Sequence, residues 1–104
     1  MLLNEKTAII YGADSAIGAA SAQIFAREGA RVFLADRDPA KLDALAARIA
    51  SAGGMADVGV LDCFDAEAVE RHATRVAEMT GRIDIALNAV GITFEHGVPF
   101  AELD

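Results

Sequence analysis

The chain is poor in cysteine and in basic residues, and it has no tryptophan. Its only cysteine, Cys63, cannot form an intramolecular disulfide, which is typical of a protein from a reducing compartment. Nine basic residues are scattered among sixteen acidic ones, and the net charge is −7. This balance predicts no cationic surface for nucleic acid and disfavours binding to anionic membranes.

Long apolar runs, a signal peptide and a metal-ligand cluster are also missing. No uninterrupted apolar run approaches the roughly 18 residues that a transmembrane helix needs. The opening MLLNEK is too short and too polar for a secretory signal. The two histidines, His72 and His96, are far apart in the sequence. We therefore expect a cytoplasmic protein that binds no metal, no nucleic acid and no membrane.

Apolar residues are abundant, at 54% of the chain, and they concentrate in four short runs. Most of these runs are nearly continuous rather than alternating, as in strands that are buried on both faces of a parallel sheet. The runs are residues 7–11 (TAIIY), 31–35 (RVFLA), 56–61 (ADVGVL) and 83–90 (IDIALNAV).

Three helical patterns separate the runs. The first begins near Ala16 and ends before Gly29, the second begins at Asp38 as an N-cap ahead of a proline, and the third begins at Asp65 and ends at Gly81. The apolar positions at helical spacing are Ile17, Ala20 and Ile24 in the first, Leu42, Leu45, Ala46 and Ile49 in the second, and Val69, Ala73 and Val76 in the third. We expect His72, which borders the third stripe, to be solvated.

The alternation of four strands with three helices predicts an α/β fold, a three-layer, doubly wound parallel sheet of the Rossmann type. The first two helices then lie on one face and the third lies alone on the other. Because parallel sheets are covered on both faces, and because PFAELD resembles the start of another helix, we interpret residues 1–104 as the N-terminal part of a larger domain. The alternative is a small complete domain that covers its bare face by self-association.

The stretch YGADSAIG, residues 11–18, connects the first strand to the first helix. Gly12 allows a sharp exit from the strand, and Gly18 allows the helix to pack closely. The free N–H groups at the helix start suit a phosphate. Asp14 or Ser15 can cap the helix, and the Ser15 hydroxyl can also donate to a phosphate. The charge of Asp14 counts mildly against a phosphate unless its side chain turns outward. Alone, the pattern also fits a tight turn without a ligand.

Asp36 ends the second strand, eighteen residues after Gly18, where dinucleotide-binding folds carry an acidic residue. A carboxylate accepts hydrogen bonds from ribose hydroxyls and repels a 2′-phosphate, so Asp36 favours NAD. Arg37 can stack on adenine or meet a phosphate, which leaves NADP possible. The alternative for Asp36 is a solvated carboxylate or a helix cap.

Two further motifs follow the third and fourth strands. In LDCFD, Asp62 can bind the adenine amino group, or it can cap the loop while Asp65 caps the helix. Cys63 is expected to be a small buried or half-buried side chain rather than a nucleophile. In NAVG, Asn88 can bridge neighbouring strand ends, and small residues let a cofactor approach. The predicted cofactor-binding residues are Gly12, Ser15, Ile17, Gly18, Asp36, Arg37, Asp62, Cys63, Asn88, Ala89 and Gly91.

Together the four motifs resemble the N-terminal part of a short-chain dehydrogenase/reductase. That family usually carries T-G-x-x-x-G-x-G, an acidic or basic residue after the second strand, D-V after the third, and N-N-A-G after the fourth. This chain departs at Tyr11, at Ala16 and at NAVG. We expect Ala16 to be tolerated if its φ is negative, with weaker cofactor binding.

The resemblance implies an NAD(P)-dependent oxidoreductase that transfers hydride between nicotinamide and a small alcohol/carbonyl substrate, and that assembles as a homo-oligomer. The family's catalytic serine and Tyr-x-x-x-Lys lie beyond residue 104 in a chain of ordinary length. Tyr11 is the only tyrosine, and neither Lys6 nor Lys41 is placed to assist it. We therefore predict no catalytic residue in this chain, which would supply only the cofactor-binding part. The alternative is a non-catalytic nucleotide-binding module or sensor.

Overall fold

The computed structural model describes residues 2–90, and it contains all four predicted strands and all three predicted helices. Their ends differ from the predicted ones by no more than two residues. The elements are β1 (Thr7–Tyr11), α1 (Ala16–Arg27), β2 (Arg31–Asp36), α2 (Pro39–Ser51), β3 (Met55–Val60), α3 (Ala66–Thr80) and β4 (Ile85–Asn88). The predictions for Gly91, for His96 and for a helix starting in PFAELD lie outside the described residues.

The four strands form one parallel sheet in the order β3-β2-β1-β4. β1 is central, with Tyr11 level with Ala35 of β2 on one side and with Asn88 of β4 on the other. The chain runs outward from β1 to β3 and then returns to β4, so the winding direction reverses between β1 and β4. In open α/β sheets, ligands bind beyond the carboxyl ends of the strands at such a reversal.

Helices cover both faces of the sheet, which confirms the three-layer, doubly wound arrangement. Alternate strand residues point to the two layers. On one face, α1 and α2 pack in a core that contains Ala8, Ile10, Val32, Leu34, Ala22, Ala26, Leu42, Leu45 and Ile49. On the other face, α3 packs in a core that contains Ile9, Tyr11, Phe33, Ala35, Cys63 and Val76.

The packed face of α1 is not the stripe of larger apolar residues. Ile17 is 42% exposed and Ile24 is 51% exposed, whereas Gly18, Ala22 and Ala26 are buried. These three small residues are spaced by four and bring the helix backbone close to the sheet. The spacing of Ile17 and Ile24 was correctly helical, but it does not identify the side of α1 that faces the sheet.

The helix ends follow the local signals. Ser15, rather than Asp14, caps α1 by accepting a hydrogen bond from Gly18 N. Asp38 caps α2 by accepting from the N–H groups of the second and third helical residues, and Asp65 caps α3 in the same way. Gly81 ends α3 in the left-handed conformation, with φ of 81°. No helix within residues 2–90 is long and apolar enough to cross a bilayer.

The prediction that His72 is solvated was wrong. His72 is 7% exposed, and its ring meets the Tyr11 ring edge-on with the ring centroids 5.8 Å apart. Gly59 leaves room for it, because a Cβ at Gly59 would lie 2.7 Å from His72 Nε2. Its Nδ1 is buried with no hydrogen-bond partner in the described part of the chain. Burial lowers the pKa of His72, and the charge of Arg75 lowers it further.

Candidate functional site

The turn from β1 to α1 is held tightly against both neighbouring strands. Gly12 and Ala13 donate backbone hydrogen bonds to Ala35 O, at 2.9 and 3.3 Å. Gly12 has a φ of +82°, and a Cβ there would lie 2.9 Å from Val90 N. Only glycine suits this conformation and this proximity, so the predicted sharp exit at Gly12 is present.

Gly18 sets the distance between α1 and the turn. A Cβ at Gly18 would lie 2.2 Å from Gly12 O and 2.9 Å from Ala13 Cα. Both atoms belong to the backbone and cannot rotate away. The absence of a side chain therefore allows the first turn of α1 to lie directly against the residues that precede it.

The start of α1 leaves two N–H groups free. The Ser15 hydroxyl accepts from Gly18 N at 3.0 Å and donates to Gly12 O at 2.7 Å, so its one proton already has an acceptor. The N–H groups of Ala16 and Ile17 have no acceptor within residues 2–90. Free N–H groups and the positive end of the helix dipole form an anion-binding site.

Ala16, which replaces the family's middle glycine, fits the structure without backbone strain. It is the first residue of α1 and is exposed. Glu5 is the only non-glycine residue with positive φ in the described range, so the condition expected for tolerance is met. The methyl group lies beside the free N–H groups.

Asp36 has a structural role that its position in the sequence did not reveal. Its Oδ2 accepts from Asp14 N at 3.0 Å and its Oδ1 accepts from Arg37 N at 2.8 Å. The carboxylate therefore connects the end of β2 to the turn after β1. Each oxygen retains a second lone pair with which it can accept a hydrogen bond from a ribose hydroxyl.

Two basic side chains pair with the other carboxylates at this edge. Arg37 Nη1 lies 3.8 Å from Asp62 Oδ1, and Lys41 Nζ lies 3.6 Å from Asp14 Oδ1. Within residues 2–90, Asp36 has no salt-bridge partner. No basic side chain in this range therefore offsets the charge of Asp36, which lies close to the start of α1.

The loop after β3 shows the capping roles foreseen as alternatives. Asp62 Oδ1 accepts from Phe64 N at 2.9 Å, while Asp65 caps α3. Cys63 is buried, as expected, and its Sγ lies 3.5 Å from Ala35 O. Burial raises the pKa of the Cys63 thiol, and the charges of Asp36 and Asp62 raise it further, against a lowering contact with the Gly12 backbone. A protonated, buried thiol is not an activated nucleophile.

The end of β4 meets the end of β1 through the backbone. Ala89 is buried and donates to Tyr11 O at 2.8 Å. The Asn88 side chain accepts from Val90 N at 2.9 Å, and it makes no hydrogen bond to a neighbouring strand within the described residues. The Tyr11 hydroxyl points into the α3 layer and donates to Val69 O at 3.4 Å. Burial raises the pKa of Tyr11.

All the predicted cofactor-binding residues that the structure describes lie at or just after the carboxyl ends of the four parallel strands, or at the start of α1. This edge contains a glycine turn and, as far as residues 2–90 show, two N–H groups without an acceptor and a carboxylate without a basic partner. A model of the short chain dehydrogenase family matches residues 6–104. The chain belongs to the short-chain dehydrogenase family.

The short-chain dehydrogenase relatives include proteins with oxidoreductase names. The chain is 38% identical, over 95 residues, to the uncharacterized oxidoreductase YxbG of Bacillus subtilis (strain 168); the match covers 91% of this chain and 35% of the relative. It is 48% identical, over 83 residues, to the probable oxidoreductase EphD of Mycobacterium tuberculosis (strain ATCC 25618 / H37Rv), covering 80% and 14% of the two chains.

A solved structure of a metagenomic short-chain oxidoreductase in complex with NADP matches with a TM-score of 0.84 and 36% identity. The match covers 98% of this chain and 48% of the other. The chain therefore spans less than half the length of these relatives. The predicted family and the predicted fold are both confirmed.

Proposed function

We propose that this chain holds the adenosine and pyrophosphate of a nicotinamide dinucleotide. The free N–H groups of Ala16 and Ile17, next to the Asp36 carboxylate, carry this proposal. The N–H groups can donate hydrogen bonds to a pyrophosphate, and the carboxylate can accept hydrogen bonds from ribose hydroxyls. An ADP-ribose unit requires both.

Each residue has a distinct part in this binding. Gly12 and Gly18 allow the turn and the helix to lie together, and the backbone of Ala16 and Ile17 donates to the pyrophosphate. Asp36 accepts from the adenosine ribose, and Asp62 accepts from the adenine amino group. Small residues at the end of β4, Ala89 among them, let the backbone approach the cofactor closely.

In the intact protein, the bound cofactor would exchange hydride with a small alcohol or carbonyl substrate. We propose that the intact protein extends beyond this segment, which supplies cofactor binding only, and that its serine and Tyr-x-x-x-Lys lie outside residues 1–104. We also propose a cytoplasmic homo-oligomer. The reading frame beyond residue 104 tests the enzymatic part of this proposal. A complete frame without Tyr-x-x-x-Lys would favour the alternative, a non-catalytic nucleotide-binding module. The departures from the family motif at Tyr11 and Ala16 are the observations that favour this alternative.

NAD rather than NADP is the proposed cofactor, because the unpaired Asp36 carboxylate repels a 2′-phosphate. Arg37, the nearest candidate to attract that phosphate, already faces Asp62 at 3.8 Å. The metagenomic relative is in complex with NADP. The proposed preference for NAD is therefore based on Asp36 and Arg37 of this chain and not on that relative.

Titration of the intact protein with NADH and with NADPH tests the preference. We expect NADH to bind more tightly, and Asp36→Asn to reduce its advantage about tenfold or more, since a hydrogen bond to a charged group contributes about 1.5–3 kcal/mol. Glu78→Gln is the matched control, because it removes a charge from an exposed position near the far end of α3. Tighter binding of NADPH by the wild type, or an unchanged ratio in Asp36→Asn, would refute the role of Asp36.

A further inference from the structure

Asp14 brings a negative charge into the turn that is proposed to hold a pyrophosphate. It lies two residues before Ala16, and two residues span at most about 7 Å. Its side chain is only 24% exposed, and its N–H is bonded to Asp36. The carboxylate is therefore only partly solvated, and its charge acts on any anion at the start of α1.

Lys41 reaches this carboxylate from the neighbouring helix. It lies in the first turn of α2, where its N–H donates to the Asp38 cap at 3.3 Å. Its Nζ lies 3.6 Å from Asp14 Oδ1, across a cleft between α1 and α2. The cleft is lined by Ala13, Asp14, Ala19, Lys41, Ala44, Leu45 and Arg48.

The ion pair between Lys41 and Asp14 contributes little to the stability of the fold. The Lys41 side chain is 66% exposed, and exposed ion pairs contribute little to folding. By contrast, the charge of Asp14 acts through its Coulomb interaction on any anion bound at the nearby start of α1, and neutralising that charge changes the affinity of the anion directly. The pair is thus better placed to influence binding than folding.

We propose that Lys41 is a positioning residue for the dinucleotide: it holds the Asp14 carboxylate toward the α1–α2 cleft and offsets its charge at the phosphate-binding turn. The inference rests on the proposed function, since it requires a pyrophosphate at the start of α1. It assigns to α2 a part in cofactor binding that acts through Asp14 and involves no contact between Lys41 and the ligand.

Calorimetric titration of the intact protein with ADP-ribose and with adenosine tests the proposal. Lys41→Met is expected to weaken ADP-ribose binding by roughly threefold to tenfold at low salt, and the loss should shrink at high salt. Lys41→Arg, which keeps the positive charge, should bind ADP-ribose about as tightly as the wild type. Adenosine, which lacks phosphate, should bind equally well to all variants. Arg48→Met removes a charge from the same cleft two helical turns further along α2, and should leave both affinities unchanged.

The Asp14→Asn background separates the proposed mechanism from direct attraction. If Lys41 acts through Asp14, adding Lys41→Met to Asp14→Asn should change the ADP-ribose affinity by less than twofold. An equal loss in both backgrounds would show direct attraction and overturn the proposal. Unchanged affinity in Lys41→Met, with a wild type that binds, would overturn it while leaving the proposed function intact. A wild type that binds no ADP-ribose would overturn both.

Discussion

Replacing Gly18 with alanine tests the packing of the turn against α1 most directly. The added Cβ would lie 2.2 Å from Gly12 O, more than 1 Å inside an ordinary contact. Gly18 is helical and has no left-handed φ, so the backbone conformation itself accepts alanine. The substitution therefore tests the steric fit between α1 and the backbone of Gly12 and Ala13.

The expected cost follows from two opposing effects. Alanine is favoured over glycine within a helix by up to about 1 kcal/mol. Overpacking that forces backbone shifts typically costs about 1–3 kcal/mol, and at Gly18 the atoms that must move belong to the backbone. We expect a net loss of about 2 kcal/mol in the free energy of unfolding. Because the start of α1 must shift from the turn, ADP-ribose binding should also weaken by about tenfold, the equivalent of one imperfect hydrogen bond to a charged group.

Denaturant unfolding of the intact protein, together with ADP-ribose titration, measures both effects. Gly53→Ala is the control: a Cβ there meets nothing within 4 Å, but φ is +91°. It should cost about 1 kcal/mol through backbone strain alone and leave ADP-ribose affinity unchanged. A Gly18→Ala protein as stable as the wild type, with unchanged affinity, would show that α1 does not lie against the turn as described.

Two further substitutions address the altered motif position and the buried histidine. Ala16→Gly is expected to tighten ADP-ribose binding severalfold, by removing a methyl group beside the free N–H groups. Because Ala16 is the first residue of α1, the substitution should lower the unfolding free energy by less than the roughly 0.5–1 kcal/mol of a glycine in a helix interior. Unchanged affinity in titration would mean that the methyl lies clear of the phosphates. His72→Phe should flatten the loss of stability in acid. The pKa of His72 is lowered in the folded protein, so the unfolded chain binds the proton more tightly, and stability falls as pH drops below the unfolded pKa of about 6.5. Denaturant unfolding at pH 8 and at pH 5 gives the loss of unfolding free energy between the two pH values. An equal loss in the wild type and in His72→Phe would contradict this role.

The order of elements and their ends could be predicted because their signals are local. Asp38 and Asp65 precede helices that they cap through the next few N–H groups, and Gly81 supplies the left-handed residue that ends α3. The four motif positions also follow from chain order, since parallel strands bring their carboxyl ends to one edge. The burial of His72 could also have been predicted, because Val69, His72 and Val76 follow the i, i+3, i+7 spacing of a buried helix face.

The sequence by itself determined the parallel sheet, the helix caps and the edge of the sheet to which the four motifs come, because each depends on neighbours within a few residues or on chain direction. Only the tertiary structure decided which side of α1 meets the sheet. The larger residues Ile17 and Ile24 and the small residues on the Gly18 side both have helical spacing, and the small residues allow the helix to approach the sheet more closely. The tertiary structure also decided the bonds from Asp36 and Lys41 to Asp14. Those partners come from separate strand–helix units, and no spacing pattern in the chain records which charges will face each other once the units pack.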